Sequence, residues 1–388
     1  MHAATDVFAL LRDGRAWTRA ELAQTTGLAR STVAARVEEL MRLGLVAPVG
    51  GGASTGGRPP SLFSLNPRAR VVAGVDVGAT HVAVALADLS GEVLGTVSTP
   101  LEVAEGPEAV LSWAAASVSL LLGRHGRSGT ELAAIGIGLP GPVQHATGRP
   151  TNPPIMPGWD RYDVPARMQR DHPVPVLIDN DVNIMALGEQ RAAFPEVQDL
   201  VFVKVATGIG SGLISGGALQ RGAQGTAGDL GHVRVPGADD VQCRCGNTGC
   251  LEAVAAGPAL VSALNAVGVA AEKPQDVVDC VRAGDLAAIR VVRQAGRNIG
   301  DVLATLVNLT NPAVVVIGGR MAGAGEHLLA GIREVVYQRS MPLATEHLRI
   351  VPSTTKGGAA LDGAVAMAVE HVLSPQQIET AVRRLGEI

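Results

Sequence analysis

The chain has 388 residues, of which 47% are hydrophobic and 18% are charged, so its composition indicates a folded protein rather than a disordered one. This length allows two or three domains. No apolar run reaches the roughly 18 residues that a membrane span requires. The N-terminus also lacks the basic segment followed by an apolar segment that marks a secretory signal. We therefore expect a cytoplasmic protein with no membrane partner.

Charge is distributed unevenly along the chain. The net charge is −4, but residues 1–70 contain nine arginines and five acidic residues, which gives this segment +4 and leaves −8 for the rest. A small basic module attached to an acidic body is typical of proteins that bind nucleic acid through the module. The charge distribution therefore favours a DNA-binding segment at the N-terminus.

The N-terminal module, residues 1–66, shows the pattern of a helix-turn-helix domain. Thr18 and Glu21 form a capping-box pattern at the start of the second helix, and Gly27 ends that helix. The turn that follows is short and carries this glycine, as a helix-turn-helix requires. Helical spacing of apolar residues predicts three helices, at about residues 5–12, 19–25 and 30–43.

The third helix and the segment after it are the candidate DNA-reading elements. Apolar runs at 45–49 and 62–65 flank a tip rich in Gly, Ser and Pro, which predicts a β-hairpin wing. The first turn of a recognition helix reads the major groove, and an arginine at a wing tip can enter a minor groove. The alternative is a helical protein–protein module followed by a flexible linker. The candidate DNA contacts are Arg30, Ser31, Thr32, Arg36 and Arg58.

Three of the four cysteines stand close together, and a histidine precedes them. The spacing His-x10-Cys-x-Cys-x4-Cys supplies four ligands that suit a closed tetrahedral zinc site. The alternative is a disulfide with one spare thiol, although Cys243 and Cys245 are poorly placed to pair and the chain otherwise has a cytosolic character. The predicted ligands of a structural zinc ion are His232, Cys243, Cys245 and Cys250.

Two glycine-rich turns follow buried strands in the body of the chain, at 76–80 and 207–212. Glycines let backbone N–H groups approach phosphate oxygens closely, although plain β-hairpins carry the same signal. A third glycine turn lies within 314–325, after another buried strand. Two turns in similar strand contexts predict a duplicated fold that grips a nucleotide between two lobes.

Further motifs make the chain resemble the ROK family of bacterial repressors and sugar kinases. The resemblance implies an α/β body with the actin-like, hexokinase-like two-lobed ATPase fold, built from duplicated RNase H-like lobes. Besides the glycine turns, the matching segments are LPGPV (139–143), Asn152 with PGW (157–159), DNDVNIMALGE (179–189), GDLGH (228–232) and CRCGNTGCLE (243–252).

The winged N-terminus is similar to the repressor branch of that family, and the single-domain kinases lack it. The resemblance divides the chain into a winged helix-turn-helix domain at 1–66, a first lobe at 67–185 and a second lobe with the zinc loop at 186–369. A last helix at about 370–388 could cross back to the first lobe.

The resemblance also assigns roles to individual residues. Asp181 would act as the general base toward the attacking sugar hydroxyl, or it would only hydrogen-bond the sugar, as in a sensor. The implied sugar contacts could instead cap turns, and Trp159 could stack on a sugar or pack its loop. The implied sugar contacts are Asn152, Asn180, Asp181, Asp229, His232 and Glu252. The implied nucleotide contacts are Asp76, Gly78, Thr80, Thr207, Gly208, Gly210, Gly318 and Gly319.

Several positions depart from the family pattern. Asp229 stands where Glu is usual, and Ser211 stands where Gly is usual. The first turn reads Gly-Ala-Thr-His instead of Gly-Gly-Thr-Lys, so His81 replaces a fixed positive charge with a side chain that is mostly neutral at pH 7. These departures weaken the prediction of bound ATP and Mg²⁺ more than the prediction of a bound sugar.

Together these features predict a sugar-responsive regulator of transcription, in particular a repressor of carbohydrate-utilisation genes. A sugar or sugar phosphate would bind between the lobes, and lobe closure would change affinity for a double-stranded DNA operator. One winged module reads only a short half-site, so we expect a homodimer or homotetramer. The alternatives are an ATP-dependent sugar kinase with an added DNA-binding domain and a body that binds a partner protein.

Overall fold

The computed structural model describes residues 3–51, 61–355 and 358–386, so Arg58 lies outside the described residues. The elements of the N-terminal module are α1 (Ala3–Leu11), β1 (Trp17–Thr18), α2 (Arg19–Thr26), α3 (Arg30–Arg42), β2 (Val46–Gly51) and β3 (Ser61–Leu65). The three strands form one sheet in the order β1-β3-β2. This arrangement confirms the predicted winged helix-turn-helix fold.

Local sequence explains the helix boundaries of this module. The Glu21 N–H donates to the Thr18 hydroxyl at 3.1 Å, and the Thr18 N–H donates to the Glu21 carboxylate at 2.8 Å, so the predicted capping box is present. Gly27 ends α2 in the left-handed conformation, at φ 71°. Val37 and Leu40 on α3 are fully buried and anchor the recognition helix to the module core.

The body contains two sheets. The elements of its first part are β4 (Val71–Val77), β5 (Val82–Asp88), β6 (Val93–Thr99), α4 (Pro107–Arg124), β7 (Leu132–Leu139), β8 (Val143–Gln144), β9 (Arg149–Pro150), α5 (Val164–Gln169), β10 (Val176–Asn180) and α6 (Asp181–Ala193). The remaining elements are β11 (Leu200–Val205), β12 (Ile209–Ser215), β13 (Ala218–Gln220), α7 (Leu251–Ala255), α8 (Gly257–Ala266), α9 (Pro274–Arg282), α10 (Leu286–Thr310), β14 (Val314–Gly318), α11 (Glu326–Arg339), α12 (Pro342–Thr345), β15 (Arg349–Pro352), α13 (Ala359–Val372) and α14 (Pro375–Gly386).

The two large sheets repeat one topology. Their strand orders are β6-β5-β4-β7-β10 and β13-β12-β11-β14-β15. In each sheet the first two strands in chain order are antiparallel, and the first and fourth strands are parallel. This repetition confirms the predicted duplication into two lobes. None of the described helices is both long and apolar enough to span a lipid bilayer.

Helix α6 lies at the junction of the two lobes. It directly follows β10 of the first sheet, and it also contacts β12 of the second sheet and α13. A Cβ on Gly188 of α6 would overlap the Ala359 carbonyl group, and a Cβ on Gly363 of α13 would overlap the Ile184 carbonyl group. The backbones of α6 and α13 are therefore in contact, at positions where only glycine leaves enough room.

The chain returns to the first lobe earlier than the sequence predicts. Helix α13 packs on β4 and β7, and a Cβ on Gly74 of β4 would lie 2.7 Å from a methyl group of Val365. Val365, Ala368 and Val369 are buried in the same cluster as residues of the first sheet. The expected lobe boundary at residue 369 is therefore too late, because α13 already packs against the first sheet.

The N-terminal module shares a hydrophobic core with the first lobe. Phe8 of α1 is buried in one cluster with Val72 of β4, Ala85 of β5 and Ile378 of α14. Helix α14 contacts both α1 and α3. These contacts fix the module to the first lobe, and the pairing of β2 with β3 favours a wing over the alternative of a helical module with a flexible linker.

Candidate functional site

The N-terminus of α6 places a carboxylate between the lobes. Asp181 is the first residue of α6, and Lys204 reaches it from β11 of the second lobe, with 2.5 Å between Nζ and Oδ2. The Lys204 side chain is 24% exposed and the Asp181 side chain is 10% exposed, so the pair is largely shielded from water. This ion pair joins the two lobes at the candidate catalytic position.

Carboxylates from both lobes keep Lys204 charged. Burial lowers the pKa of Lys204, but the charges of Asp181, Asp76 and Glu252 outweigh burial and raise the pKa above its usual value. Sequence reasoning missed this lysine. The available signal was a lone charged residue in the otherwise apolar strand LVFVKV, in a chain with only three lysines.

A histidine closes the first glycine turn. The Gly78 N–H donates to the His81 carbonyl oxygen at 2.9 Å, and His81 Nε2 lies 3.1 Å from Asp76 Oδ2. This hydrogen bond with Asp76 raises the pKa of His81, against the opposing effect of burial. A Cβ on Gly78 would overlap the imidazole, so the ring covers the turn. Thr80 is exposed beside it.

The second glycine turn is shorter than predicted. Strand β12 begins at Ile209, which leaves Thr207 and Gly208 in the turn and places Gly210 within the strand. The prediction of a turn over 207–212 is therefore wrong in its extent, because the antiparallel pairing of β11 and β12 continues to the hairpin end. The Ile209 N–H donates to Glu252 Oε2 at 3.1 Å, so a carboxylate from α7 already occupies this turn.

Packing explains the glycines of the third turn. Gly318 ends β14, and a Cβ there would overlap the Phe202 ring. Gly319 has φ 82°, and a Cβ there would lie 2.5 Å from the Val205 carbonyl oxygen. Both positions require glycine for close packing, whether or not a nucleotide binds nearby.

The first-lobe residues predicted to bind a sugar differ in their freedom to do so. Asn152 is exposed, and its backbone N–H donates to Asp160 Oδ1 at 2.7 Å. The Asn180 amide is engaged at both ends, because Oδ1 accepts the Val182 N–H at 2.9 Å and Nδ2 donates to the Gly141 carbonyl oxygen at 2.7 Å. The geometry thus favours the capping alternative for Asn180.

Trp159 has a packing role. Its side chain is fully buried, and its indole N–H donates to the Val103 carbonyl oxygen at 3.0 Å. The ring therefore has no face open to a ligand. Of the two alternatives for this tryptophan, the structure supports packing of the loop over stacking on a sugar.

The segment 228–232 is attached to β12. The Ser211 hydroxyl donates to the Gly228 carbonyl oxygen at 2.7 Å, which gives a structural reason for serine at this position. Asp229 is exposed and precedes the short turn Leu230–His232. A Cβ on the glycine of that turn would lie 3.6 Å from the Glu252 Cβ, so the segment lies beside the second glycine turn.

His232 and three cysteines form a compact cluster whose ligand atoms all lie within 4.8 Å of one another. The distance is 3.7 Å between Cys245 Sγ and Cys250 Sγ, and also between Cys243 Sγ and His232 Nδ1. Two sulfurs bound tetrahedrally to zinc lie about 3.8 Å apart, whereas a disulfide requires about 2.05 Å. The described cysteines are all free, so this donor set fits a metal ion.

The cluster thiols ionise unequally without a metal. The backbone N–H of Asn247 lowers the pKa of Cys245 to about 7, whereas burial raises the pKa of Cys250 to about 12. A metal ion must therefore displace a proton from Cys250 when it binds.

Two further contacts between the lobes were not predicted. Asp179, at the end of β10, accepts a hydrogen bond from Arg221 Nε at 2.6 Å. Glu189 on α6 is fully buried and accepts hydrogen bonds from the loop 353–355 after β15. Both partners are remote in sequence, so no local pattern could reveal either contact.

The first turn of α3 is open to solvent. Arg30 and Ser31 are exposed, and Thr32 is partly buried. Arg36 is engaged on its own helix, with 2.7 Å between Nη1 and Glu39 Oε2. Arg30 and Ser31 are therefore better placed to contact DNA than Arg36, which would have to leave Glu39.

Sequence comparison identifies both parts of the chain. Residues 72–371 match the ROK family, and residues 4–50 match the IclR helix-turn-helix domain. The chain belongs to the ROK family. The xylose repressor of Caldicellulosiruptor bescii is 30% identical over 382 residues and is matched over 95% of both chains.

Solved structures show the same architecture. A ROK family transcriptional regulator, a homologue of the Escherichia coli MLC protein, has a TM-score of 0.83 and 24% identity, with 98% of both chains covered. At this identity the likeness establishes the fold, including the N-terminal module. A ROK hexokinase from Thermus thermophilus has a TM-score of 0.66 and 32% identity, covering 78% of this chain and 99% of the hexokinase.

Proposed function

We propose that the protein is a sugar-responsive transcriptional repressor that binds operator DNA through α3 and its wing. The main support is the similarity to a xylose repressor over 95% of both chains, a span that includes the helix-turn-helix module as well as the body. Arg30 and Ser31 would read the major groove, while Thr32 and Arg36 would contact the backbone. Arg58 remains a candidate minor-groove contact.

DNA binding can be tested with DNA from the region upstream of the protein's own gene. Fluorescence anisotropy at fixed salt should show that Arg30→Ala weakens binding about tenfold, the effect of about 1.4 kcal/mol expected for loss of one base or phosphate contact. Arg290→Ala is the matched control, because Arg290 is also exposed but lies on α10 of the second lobe. Equal affinities of Arg30→Ala and wild type would contradict the assignment.

The proposed effector is a sugar held between the lobes. Asn152 and Asp181 would contact it from the first lobe, and Asp229, His232 and Glu252 from the second. Binding to groups on both lobes would favour a closed arrangement, and only a difference in affinity between open and closed forms can alter DNA binding. Asp229→Ala should reduce the effect of the sugar on DNA affinity while DNA affinity without sugar stays unchanged.

Helix α6 is the proposed connection between the sugar and the DNA-binding module. It carries Asp181 at its first turn and spans about 20 Å, from 13 residues at about 1.5 Å each. Near its other end, Arg191 Nη2 lies 2.5 Å from Glu370 Oε1. The charges of this pair also act on Arg12 of the N-terminal module: burial and the charge of Arg191 lower the pKa of Arg12, and the charge of Glu370 opposes them. Arg191→Met should weaken the sugar effect and leave binding of DNA alone intact.

We further propose that zinc fixes the segment that carries His232 and Glu252. The four ligands would hold the ion, and a structural site of this kind supplies folding energy rather than chemistry. We also propose a homodimer or homotetramer, because operator binding by one winged module reads too few base pairs. Light scattering after gel filtration tests this; a monomer that binds DNA tightly would contradict it.

An ATP-dependent sugar kinase is the second candidate, because Asp181 begins α6 between the two lobes, where the family resemblance implies a general base. Asp181→Asn separates the candidates: a kinase should lose turnover by orders of magnitude, whereas a sensor should retain most of its DNA response. ATP turnover with a panel of hexoses, pentoses and amino sugars measures the activity directly.

A further inference from the structure

The chain's own side chains occupy the first glycine turn. The His81 imidazole covers Gly78, so a phosphate oxygen could not approach the Gly78 backbone without moving the ring. His81 Nε2 also lies 3.1 Å from Asp76 Oδ2, and the Gly78 N–H is already bonded to the His81 carbonyl oxygen. The turn therefore offers no backbone donor at Gly78 and no unpaired carboxylate at Asp76.

In the second glycine turn, the occupying group is a carboxylate. Glu252 Oε2 accepts the Ile209 N–H at 3.1 Å, and a Cβ on Gly208 would lie 2.5 Å from the same oxygen. A carboxylate oxygen thus stands on the turn where a phosphate oxygen would accept the same N–H group. Glycine is needed at 208 to admit this carboxylate.

A cation lies next to the candidate base, on the strand that leads into the second turn. Lys204 extends from β11, where it pairs in register with Gly210 of β12 and Gly318 of β14, and its Nζ lies 2.5 Å from Asp181 Oδ2. A divalent cation in a phosphoryl-transfer site also binds carboxylate oxygens and lies next to phosphate. The ammonium group occupies the corresponding place next to the candidate base.

We propose that Lys204, Glu252 and His81 form a built-in substitute for a magnesium–phosphate group, so that the cleft excludes a nucleotide and Asp181 cannot serve as a base. Lys204 supplies the positive charge, Glu252 supplies the oxygen on the second turn, and His81 covers the first turn. The residues of this chain therefore do not fit Mg²⁺–ATP. This inference rests on the proposed sugar-responsive function, and it explains how the cleft could bind a sugar without transferring phosphate to it.

Lys204→Met tests this substitution, because it removes the resident cation and frees Asp181 for a metal. Mn²⁺ binding, followed by electron paramagnetic resonance, should be at least about tenfold tighter in Lys204→Met than in wild type, or about 1.4 kcal/mol. Lys273→Met, which removes an exposed lysine on the second lobe, should match wild type. Adding Asp181→Asn to Lys204→Met should abolish the gain. Wild type should bind Mn²⁺ with the non-hydrolysable nucleotide AMPPNP more weakly than about 1 mM.

Two outcomes would overturn the inference: tight binding of Mn²⁺ and AMPPNP by wild type, or no gain of Mn²⁺ binding in a folded Lys204→Met. If Lys204→Met does not fold, Lys204→Gln keeps a similar length and polarity, and the wild-type titration with Mn²⁺ and AMPPNP decides by itself. None of these measurements uses DNA or sugar. Failure of the inference is therefore distinguishable from failure of the proposed regulatory function.

Discussion

Replacement of Glu189 should destabilise the protein strongly, because this buried carboxylate ties α6 to the chain that crosses between the lobes. Its two oxygens accept hydrogen bonds from Ser353 Oγ at 2.7 Å, the Thr354 N–H at 2.8 Å, Thr354 Oγ1 at 3.1 Å and Thr355 Oγ1 at 2.9 Å. The loop that donates these bonds lies between β15 of the second sheet and α13 of the first lobe.

The expected loss follows from what each donor can do without Glu189. The hydroxyls of Ser353 and Thr355 are 3.2 Å apart and can bond to each other, but the Thr354 N–H cannot turn to a new partner. An unsatisfied donor that faces the buried space left by Glu189 costs about 1–3 kcal/mol, and the vacated space adds a cavity term. We expect Glu189→Ala to lower the free energy of unfolding by about 3–5 kcal/mol, and the isosteric Glu189→Gln by about 1–3 kcal/mol.

Urea unfolding followed by far-ultraviolet circular dichroism measures these losses. Glu334→Ala is a suitable control, because Glu334 also accepts hydrogen bonds from two residues, Arg293 and Arg297, but does so at the surface. Water and salt screen that network, so its loss should be much smaller. If Glu189→Ala is no more destabilising than Glu334→Ala, the junction of the lobes does not depend on this carboxylate.

Three further predictions concern the turns, the helix contact and the metal cluster. The pKa of His81 is raised in the folded state, so protonated His81 stabilises the fold below the usual pKa of 6.5, and this stabilisation is lost as the pH rises through the folded pKa. His81→Asn should therefore lower the urea midpoint of unfolding more at about pH 6 than at about pH 8.5. An equal loss at the two pH values would contradict this. Gly363→Ala should lower the free energy of unfolding in urea by about 2 kcal/mol or more, because the added Cβ meets the α6 backbone. Gly123→Ala on α4 places its Cβ in open space and should be neutral or stabilising. Similar effects of the two substitutions would refute the close contact between α6 and α13. Metal analysis should find about one zinc per chain, and Cys250→Ser should lose the metal and expose the segment before Cys250 to protease. If wild type resists protease equally well with and without its metal, zinc does not stabilise this segment.

Much of the fold could be predicted because its signals are local. The capping box at Thr18, the glycine that ends α2 and the apolar spacing of α3 each depend on neighbours within one or two helical turns. The cysteine cluster could be predicted from the sequence for the same reason, since three of its proposed ligands lie within eight residues. The repeated strand and glycine-turn pattern likewise predicted two similar lobes.

The contacts within the cleft could not be predicted, because they join residues that are distant in the chain. Lys204 and Asp181 are 23 residues apart and come from different lobes, and Glu252 reaches the turn at Ile209 from 43 residues away. Asn180 fits a sugar-binding motif, but the α6 terminus and Gly141 engage its amide. Sequence motifs therefore pointed to the junction of the two lobes, while the pairing of the charged side chains there required the three-dimensional structure.

The most direct test of the central claim is the affinity of the protein for its upstream DNA, measured with and without each sugar of a neutral and phosphorylated panel at one salt concentration. A sugar-responsive repressor should show one ligand that changes the dissociation constant by about 5- to 150-fold, with a smaller change in Asp229→Ala. If the protein binds the DNA but no sugar alters the affinity, the cleft does not regulate DNA binding. If it does not bind the DNA at all, the assignment as a repressor of its own upstream region is wrong.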